Sequence, residues 1–390
     1  KELREFQKHS AIASAVTKID QDNEVLEQVL EIEFDLLEKL KQVCDKHGLT
    51  LYAMYGSLLG AVRGAGVIPG DDDIDVALPR EDYNKLLNEF TDKYFLQTPS
   101  NDDCFYGGYL KLRNRNTAAI HPQNWWTNCC EGIAIDIFPI DSGYTDNKKE
   151  EKKRKKIKHL QRLLYAKAYG YFPNFLDMKL VKWKAYKYIG KMFSREYLAE
   201  KLEYALAEGD GGELAPFGVY AHYLGVNGPR LLDKEAYKEK LEFSYENVTL
   251  SVPSGWSKIL TMLYGESYMY PNPWYEGKRR HGFYNVSESY EVCKERFKGI
   301  LGSEISEEQS IVLFGDGLLY DAYFEKYGEK HKPDLIVSLV DGIVDNKIHG
   351  IEVKTMDEFK KEVSQSIYPI ICAIDIRSAE KKLKDMGIVE

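Results

Sequence analysis

Between positions 71 and 75 the chain reads Asp71-Asp72-Asp73-Ile74-Asp75, and a further carboxylate, Asp136, interrupts the apolar run Ile133-Ala134-Ile135-Asp136-Ile137-Phe138. On an extended strand, residues i and i+2 share a face, so Asp73 and Asp75 are expected side by side with Ile74 and Val76 turned the other way. Two like charges at that spacing repel, and burying them unpaired is costly. A divalent cation resolves the conflict. Mg²⁺ (or Mn²⁺) takes oxygen ligands and is commonly held by one or two carboxylates together with substrate phosphates, which suits Asp73 and Asp75. Asp136, from a different strand, adds a third oxygen or accepts the proton of an attacking hydroxyl. Upstream, Gly56-Ser57 falls where a strand gives way to a helix, allowing backbone N–H groups and a hydroxyl to approach a phosphate closely. The chemistry these pieces predict is metal-dependent phosphoryl transfer.

Blander readings of the same residues exist. Asp71 to Asp75 could be an exposed acidic turn, and Asp136 a cap, although its apolar flanks favour an inward carboxylate with a partner. A calcium loop fits poorly: aligning Asp71, Asp73 and Asp75 with its first ligands puts Val76 where glycine is needed and Asp82 where a bidentate Glu belongs. Arg63, Lys111 and Arg113 are candidates to hold a diphosphate, arginine because its planar fork grips two phosphate oxygens. Within Lys278-Arg279-Arg280-His281, Arg279 and His281 could close over the same phosphates, or the segment is a solvated basic turn. Trp125-Trp126 could hold a quaternary ammonium by cation–π attraction, with at most one of the two facing a given pocket.

Several elements are needed to position this chemistry. Residues 23 to 47 carry Val25, Leu26, Val29, Leu30, Phe34, Leu37, Leu40 and Val43 at helical spacing, and Gly48 ends the run. Strands are predicted at Leu51 to Tyr55, Asp73 to Leu78, Ile133 to Phe138 and Tyr245 to Val252. Helices are predicted after Gly56-Ser57, from Pro79 to Phe90, across the lysine-rich stretch from about 146 to 207, and over Trp256 to Tyr264. The lysine run Lys148-Lys149 through Lys158 reads as a solvated face, with contact to an anionic surface as the alternative. Acid-rich Ser303 to Gln309 is a plausible linker. Beyond it, strands at Ile311 to Phe314, Asp334 to Val340 and Tyr368 to Ile374 and the turn Gly315-Asp316-Gly317 begin like a dinucleotide-binding unit. Tyr320 stands where its third glycine belongs, which argues against NAD.

With 390 residues the chain is long enough for two or three domains, and its net charge of −9 disfavours nucleic acid as a partner. No run approaches the ~18 apolar residues of a membrane span. The six cysteines, at 44, 104, 129, 130, 293 and 372, show no C-x-x-C spacing and read as free thiols in a reducing, cytoplasmic compartment.

A longer pattern joins these pieces. Tyr55-Gly56-Ser57-Leu58-Leu59-Gly60-Ala61-Val62-Arg63, then Gly66-Val67-Ile68-Pro69, then Asp71 through Tyr83, resembles the signature of the LicD family. Lys111-Leu112-Arg113-Asn114, Ile135 through Asp141, Leu263-Tyr264-Gly265 and Pro271 to His281 are similar to the rest of it. Gly64-Ala65 and Gly70 depart from the usual pattern without touching the acidic residues.

The resemblance covers about residues 23 to 285 and implies an α/β (α+β) fold, a nucleotidyltransferase-like mixed sheet flanked by helices. The C-terminal part looks like the small Rossmann-like α/β domains appended to glycan-assembly proteins, and with the linker near residue 305 the chain reads as an extension (1–22), a catalytic domain (23–305) and an accessory domain (306–390). Asp73 and Asp75 become the metal-binding pair, Asp71 an auxiliary ligand, and Gly56-Ser57 the phosphate cradle. The implied reaction moves phosphocholine, or a related phospho-alcohol, from a CDP-activated donor to a glycan hydroxyl, such as that of a lipopolysaccharide or teichoic-acid-type precursor. Attachment of a nucleoside monophosphate to a small acceptor, or non-catalytic nucleotide or glycan binding, are the alternatives. Peripheral contact with the inner membrane face and a homo-oligomer are left open.

Overall fold

The computed structural model describes residues 23–87, 90, 94–121, 124, 127–168, 180–212, 215–220, 230–270, 283–295, 310–315, 320, 323–324, 331–339, 347–362, 367–372, 383–385 and 387. In chain order the first half contains α1 (Asn23–His47), β1 (Tyr52–Ala53), α2 (Tyr55–Gly64), β2 (Asp75–Pro79), α3 (Arg80–Leu86), β3 (Tyr94–Gln97), β4 (Leu110–Asn114), β5 (Ala118–Ile120) and β6 (Ile133–Ser142). Then come α4 (Asn147–Ala168), α5 (Leu180–Lys191), α6 (Arg195–Ala207), β7 (Pro216–Val219), β8 (Arg230–Asp233), β9 (Lys240–Tyr245), β10 (Val248–Pro253), α7 (Trp256–Tyr264) and β11 (Phe283–Asn285).

The main sheet runs β1-β2-β6-β4-β3, with β7 and β8 attached through β6. Its β2–β6 pair is parallel and its other pairs are antiparallel, so the sheet is mixed, as expected for an α/β fold. Helix α1 packs against β6 and β4. It does so through a stripe of Val29, Leu36, Leu37, Leu40 and Cys44, all buried. The same core takes in Leu58 of α2, Val76 and Leu78 of β2, Leu112 of β4 and Ile135 and Ile137 of β6. Burying such residues contributes roughly 1.5–3 kcal/mol each, which holds the strand ends carrying the polar residues in fixed register.

A second sheet follows β12 (Ser310–Gly315), β13 (Leu335–Ser338), β14 (Lys347–Ile348), β15 (Ile351–Thr355), α8 (Met356–Glu362) and β16 (Ile367–Cys372). Its order is β14-β15-β13-β12-β16. The pairings β15–β13, β13–β12 and β12–β16 are parallel, which fits the apolar β12 with five consecutive buried residues, Ile311 to Gly315. The boundary expected near residue 305 and the turn residues Asp316-Gly317 lie outside the described residues.

Three expectations need correction. The single strand expected over 245–252 is a hairpin, β9 and β10, whose turn places Glu246 in the left-handed region at φ 49°. The lysine-rich α4 is solvated along Lys148, Lys149, Lys152, Lys155 and Lys156, but Lys153 is buried. Its ammonium donates to the carbonyls of Ser142 (2.6 Å), Leu206 (2.8 Å) and Glu208 (2.6 Å), tying β6 to the end of α6. Burial brings its pKa down to about 8.

The third correction concerns the thiols, because Cys104 and Cys129 are disulfide-bonded. The loop after β3 and the segment before β6 are drawn together by buried Asp102, whose carboxylate accepts from Gln97 Nε2, the Cys104 N–H and the Cys130 N–H. No local spacing announces a contact made by two loops, and the cysteine-based case for a reducing compartment lapses with it. Cys44, Cys130 and Cys293 are buried and form no disulfide among the described residues.

No helix among the described residues is long and apolar enough to cross a membrane. Alkylation of the denatured, unreduced chain followed by peptide mass mapping should leave Cys104 and Cys129 unlabelled until reductant is added; labelling of both beforehand contradicts the bridge.

Candidate active site

The parallel pairing of β2 with β6 sets Asp75 opposite Asp136, and the antiparallel pairing of β4 with β6 sets Lys111 opposite Asp136. Register partners on adjacent strands carry their side chains on one face, about 4.8 Å apart. The Lys111 ammonium accordingly meets Asp136 Oδ1 at 2.5 Å. Asp75 is buried, and burial pushes its carboxyl well above the usual range, with Asp73, Asp136 and Asp71 adding to the effect and Lys111 opposing it. Backbone bonds fix the strand start: Met54 N–H donates to the Asp75 carbonyl, and Asp136 N–H to the Ile74 carbonyl, each at 3.0 Å.

Strand β2 begins only at Asp75, so Asp73 is not its face-mate on a strand as the alternating pattern predicted. Instead Asp71, Asp72 and Asp73 lie in an irregular segment between the turn at Pro69-Gly70, where Gly70 has a φ of 83°, and the start of β2. Their carboxylates lie within 4.8 Å of one another. Asp72 is buried and accepts from the Tyr284 hydroxyl at 2.6 Å, a long-range tie to β11.

Gly56 and Ser57 lie in the first turn of α2 rather than in a turn preceding it. The change of direction occurs one residue earlier, where Tyr55 takes a φ of 46°. A Cβ at Gly56 would stand 2.7 Å from Asp71 Oδ2, so the glycine lets that carboxylate lie close against the helix. The Asp71 carboxylate thus rests against a helix N-terminal turn, whose exposed N–H groups favour negative charge. Ser57 is buried, and its hydroxyl accepts from the Asp75 N–H at 2.9 Å. Around them Tyr55 and Tyr109 pack on Phe138 at ring distances of 5.2 and 4.7 Å, and the Lys111 ammonium lies 5.6 Å from the Tyr109 ring.

The structure thus gathers Gly56, Ser57, Asp71, Asp73, Asp75, Lys111 and Asp136. Other candidates are engaged elsewhere. Arg63, at the far end of α2, donates to the carbonyls of Tyr268 and Tyr270. Arg113 is buried, donating to Gln97 Oε1 (2.7 Å) and the Gly132 carbonyl (2.6 Å) and facing Glu131 Oε1 at 3.5 Å. Trp125, Trp126, Arg279 and His281 lie outside the described residues.

One participant was not singled out from the sequence. Glu33 of α1 is 2% exposed. Burial pushes its carboxyl well above the usual range, with Asp73, Asp72 and Asp136 adding and Lys111 opposing. The signal was present: Glu33 interrupts the stripe formed by Val29, Leu36, Leu37, Leu40 and Cys44. Asp72 was read only as part of the acidic run.

Asp71, Asp72 and Asp73 bring three carboxylates within 4.8 Å of one another, an all-oxygen set of the kind that suits Mg²⁺ or Mn²⁺, with Asp75, Asp136 and Glu33 adding negative charge around it. Buried Glu33 and Asp75 each sit in the field of neighbouring aspartates, with the Lys111 ammonium opposing, and a divalent cation would compensate that excess of negative charge. The residues fit the ion their chemistry implies.

Residues 48–181 match the family described as LicD/FKTN/FKRP, nucleotidyltransferase domain. The chain is also 34% identical over 64 residues to "Lipopolysaccharide cholinephosphotransferase LicD" of Haemophilus influenzae, a stretch covering 16% of this chain and 23% of that protein. It is 33% identical over 60 residues to "Uncharacterized protein RT0683" of Rickettsia typhi, covering 15% of this chain and 19% of that one. Each match thus spans less than a quarter of the relative's length.

The Arg113 network yields a pH test. Burial pushes the Glu131 carboxyl up, but His121 and then Arg113 and Lys294 pull it down further, leaving it well below its ordinary 4.5. A depressed carboxylate contributes stability that is present above its unfolded pKa and is lost as pH falls through the folded one. Glu131→Gln should therefore cost about 3 kcal/mol at pH 7, with the gap from wild type narrowing below about pH 4.5, as read by urea unfolding. A gap independent of pH contradicts the assignment.

Proposed function

Because residues 48–181 match the LicD/FKTN/FKRP nucleotidyltransferase domain, we propose that the chain transfers phosphocholine, or a related phospho-alcohol, from a CDP-activated donor to a hydroxyl of a cell-surface glycan precursor. The observation that carries this reading is the register match of Asp75 with Asp136, with Lys111 facing the same point. In this reading Asp73 and Asp75 hold Mg²⁺ or Mn²⁺, and Asp71 assists from its place against Gly56. A bound cation would neutralise donor phosphate oxygens and ease departure of CMP.

The chain's own residues do the rest. The acceptor oxygen attacks phosphorus in line, its new P–O bond forming as the bond to CMP breaks, and the hydroxyl proton passes to Asp136. Lys111 orients Asp136 and adds positive charge beside the phosphates. Ser57 acts by fixing where β2 begins and hence where Asp75 points. The likeness to a lipopolysaccharide cholinephosphotransferase supports choline as the alcohol and a lipopolysaccharide-type acceptor; a teichoic-acid-type acceptor fits the same chemistry.

The same carboxylates would also serve transfer of a nucleoside monophosphate, and the products separate the two readings. With Mg²⁺, CDP-choline and a glycan acceptor, the purified chain should release CMP. Release of pyrophosphate from nucleoside triphosphates instead would favour nucleotidyl transfer. Asp75→Asn should lower CMP release at least about 100-fold, on the order of 3 kcal/mol in the barrier, with an unchanged circular dichroism spectrum. Undiminished release by the variant removes Asp75 from the mechanism.

A further inference from the structure

Helix α1 lies ahead of the stretch that matches the family, which starts at residue 48. It nevertheless delivers a carboxylate to the acidic centre. Glu33 occupies the helix face that buries Val29, Leu36, Leu37 and Leu40 against β6 and β4, the strands that carry Asp136 and Lys111. An apolar side chain there would simply extend the core.

The carboxylate is almost fully buried, and its Oε2 is without a hydrogen-bond partner among the described residues. Buried polar atoms are nearly always satisfied, so an orphan carboxylate oxygen needs a specific explanation. Its charged neighbours offer little: Asp72, Asp73 and Asp136 repel it, and the Lys111 ammonium is bonded to Asp136. What the position lacks is a positive charge with room for one more oxygen.

We propose that Glu33 is a further ligand of the divalent cation held by the aspartate cluster, reaching it from α1. The inference rests on the metal-dependent reading above and extends the centre beyond the part of the chain that matches the family. Because α1 is 25 residues long and packed along its core face, it presents the carboxylate from a rigid support, as precise metal sites require. Binding of the cation would also fasten α1 to the sheet.

Mn²⁺ alone is a sufficient probe. Free Mn²⁺ is followed by electron paramagnetic resonance during titration of the full chain, its Glu33→Gln and Glu33→Leu variants, and Asp75→Asn, with folding checked by circular dichroism. Thermal melts with and without Mn²⁺ give a second readout. Both Glu33 variants should bind Mn²⁺ at least about tenfold more weakly and lose most of the Mn²⁺-induced rise in Tm. A merely structural role would shift the baseline Tm of Glu33→Leu and leave that rise intact. If the Glu33 variants bind like wild type while Asp75→Asn does not, Glu33 is no ligand and the cation centre stands without it. If wild type fails to bind Mn²⁺, or Asp75→Asn binds as wild type does, the metal reading itself falls and this inference with it.

Discussion

Side-by-side pairing of β2 and β6 is the constraint from which the rest of the site follows. Antiparallel strands can be joined by a hairpin, but parallel neighbours need a longer connection, and here the chain between them makes β3, β4 and β5. That excursion lets β4 return on the other side of β6 and bring Lys111 to Asp136. Were Asp75 and Asp136 both ionised at strand spacing, their repulsion would amount to about 3 kcal/mol at an effective dielectric near 20. One ammonium offsets only part of the charge that Asp71, Asp72, Asp73 and Glu33 add. The fold holds this arrangement because apolar contacts beneath it, through Val76, Ile135 and Ile137, set the register independently of the acids.

Smaller features read as consequences of the same crowding. A side chain at position 56 would displace the Asp71 carboxylate, so the glycine makes room for it at a helix N-terminal turn. Ser57 holds the first N–H of β2, and Tyr284 ties down Asp72 from β11. The first fixes the backbone from which Asp75 projects, and the second holds the Asp72 carboxylate itself. Electrostatic preorganisation of this kind is worth most where charge changes during reaction.

Much of this was legible in the residues themselves. The apolar flanks of Asp136 announced a buried strand with an inward carboxylate, and the Asp71 to Asp75 run marked the acidic centre. Local pattern could not show that β2 starts at Asp75, since Asp73 obeys the same alternation yet lies in the irregular segment that follows the Pro69-Gly70 turn. Nor could it tell a ligand-ready arginine from one locked to Gln97 and Gly132, because those partners are fixed by tertiary packing. Lys153 and Glu33 teach the same point from helices. A charged residue falling on an apolar stripe is a legible anomaly, but its partner lies on another element. The Cys104–Cys129 bridge was beyond reach for the same reason, two loops meeting over Asp102.

The direct test of the central claim is anomalous diffraction from crystals of the chain grown with Mn²⁺. A peak within about 2.0–2.6 Å of carboxylate oxygens from both Asp73 and Asp75, on the side of the sheet where Asp136 and Lys111 meet, is the predicted result. A peak elsewhere, or none there under saturating Mn²⁺, would mean that these acids are neutralised by other means and that the centre is not a metal site.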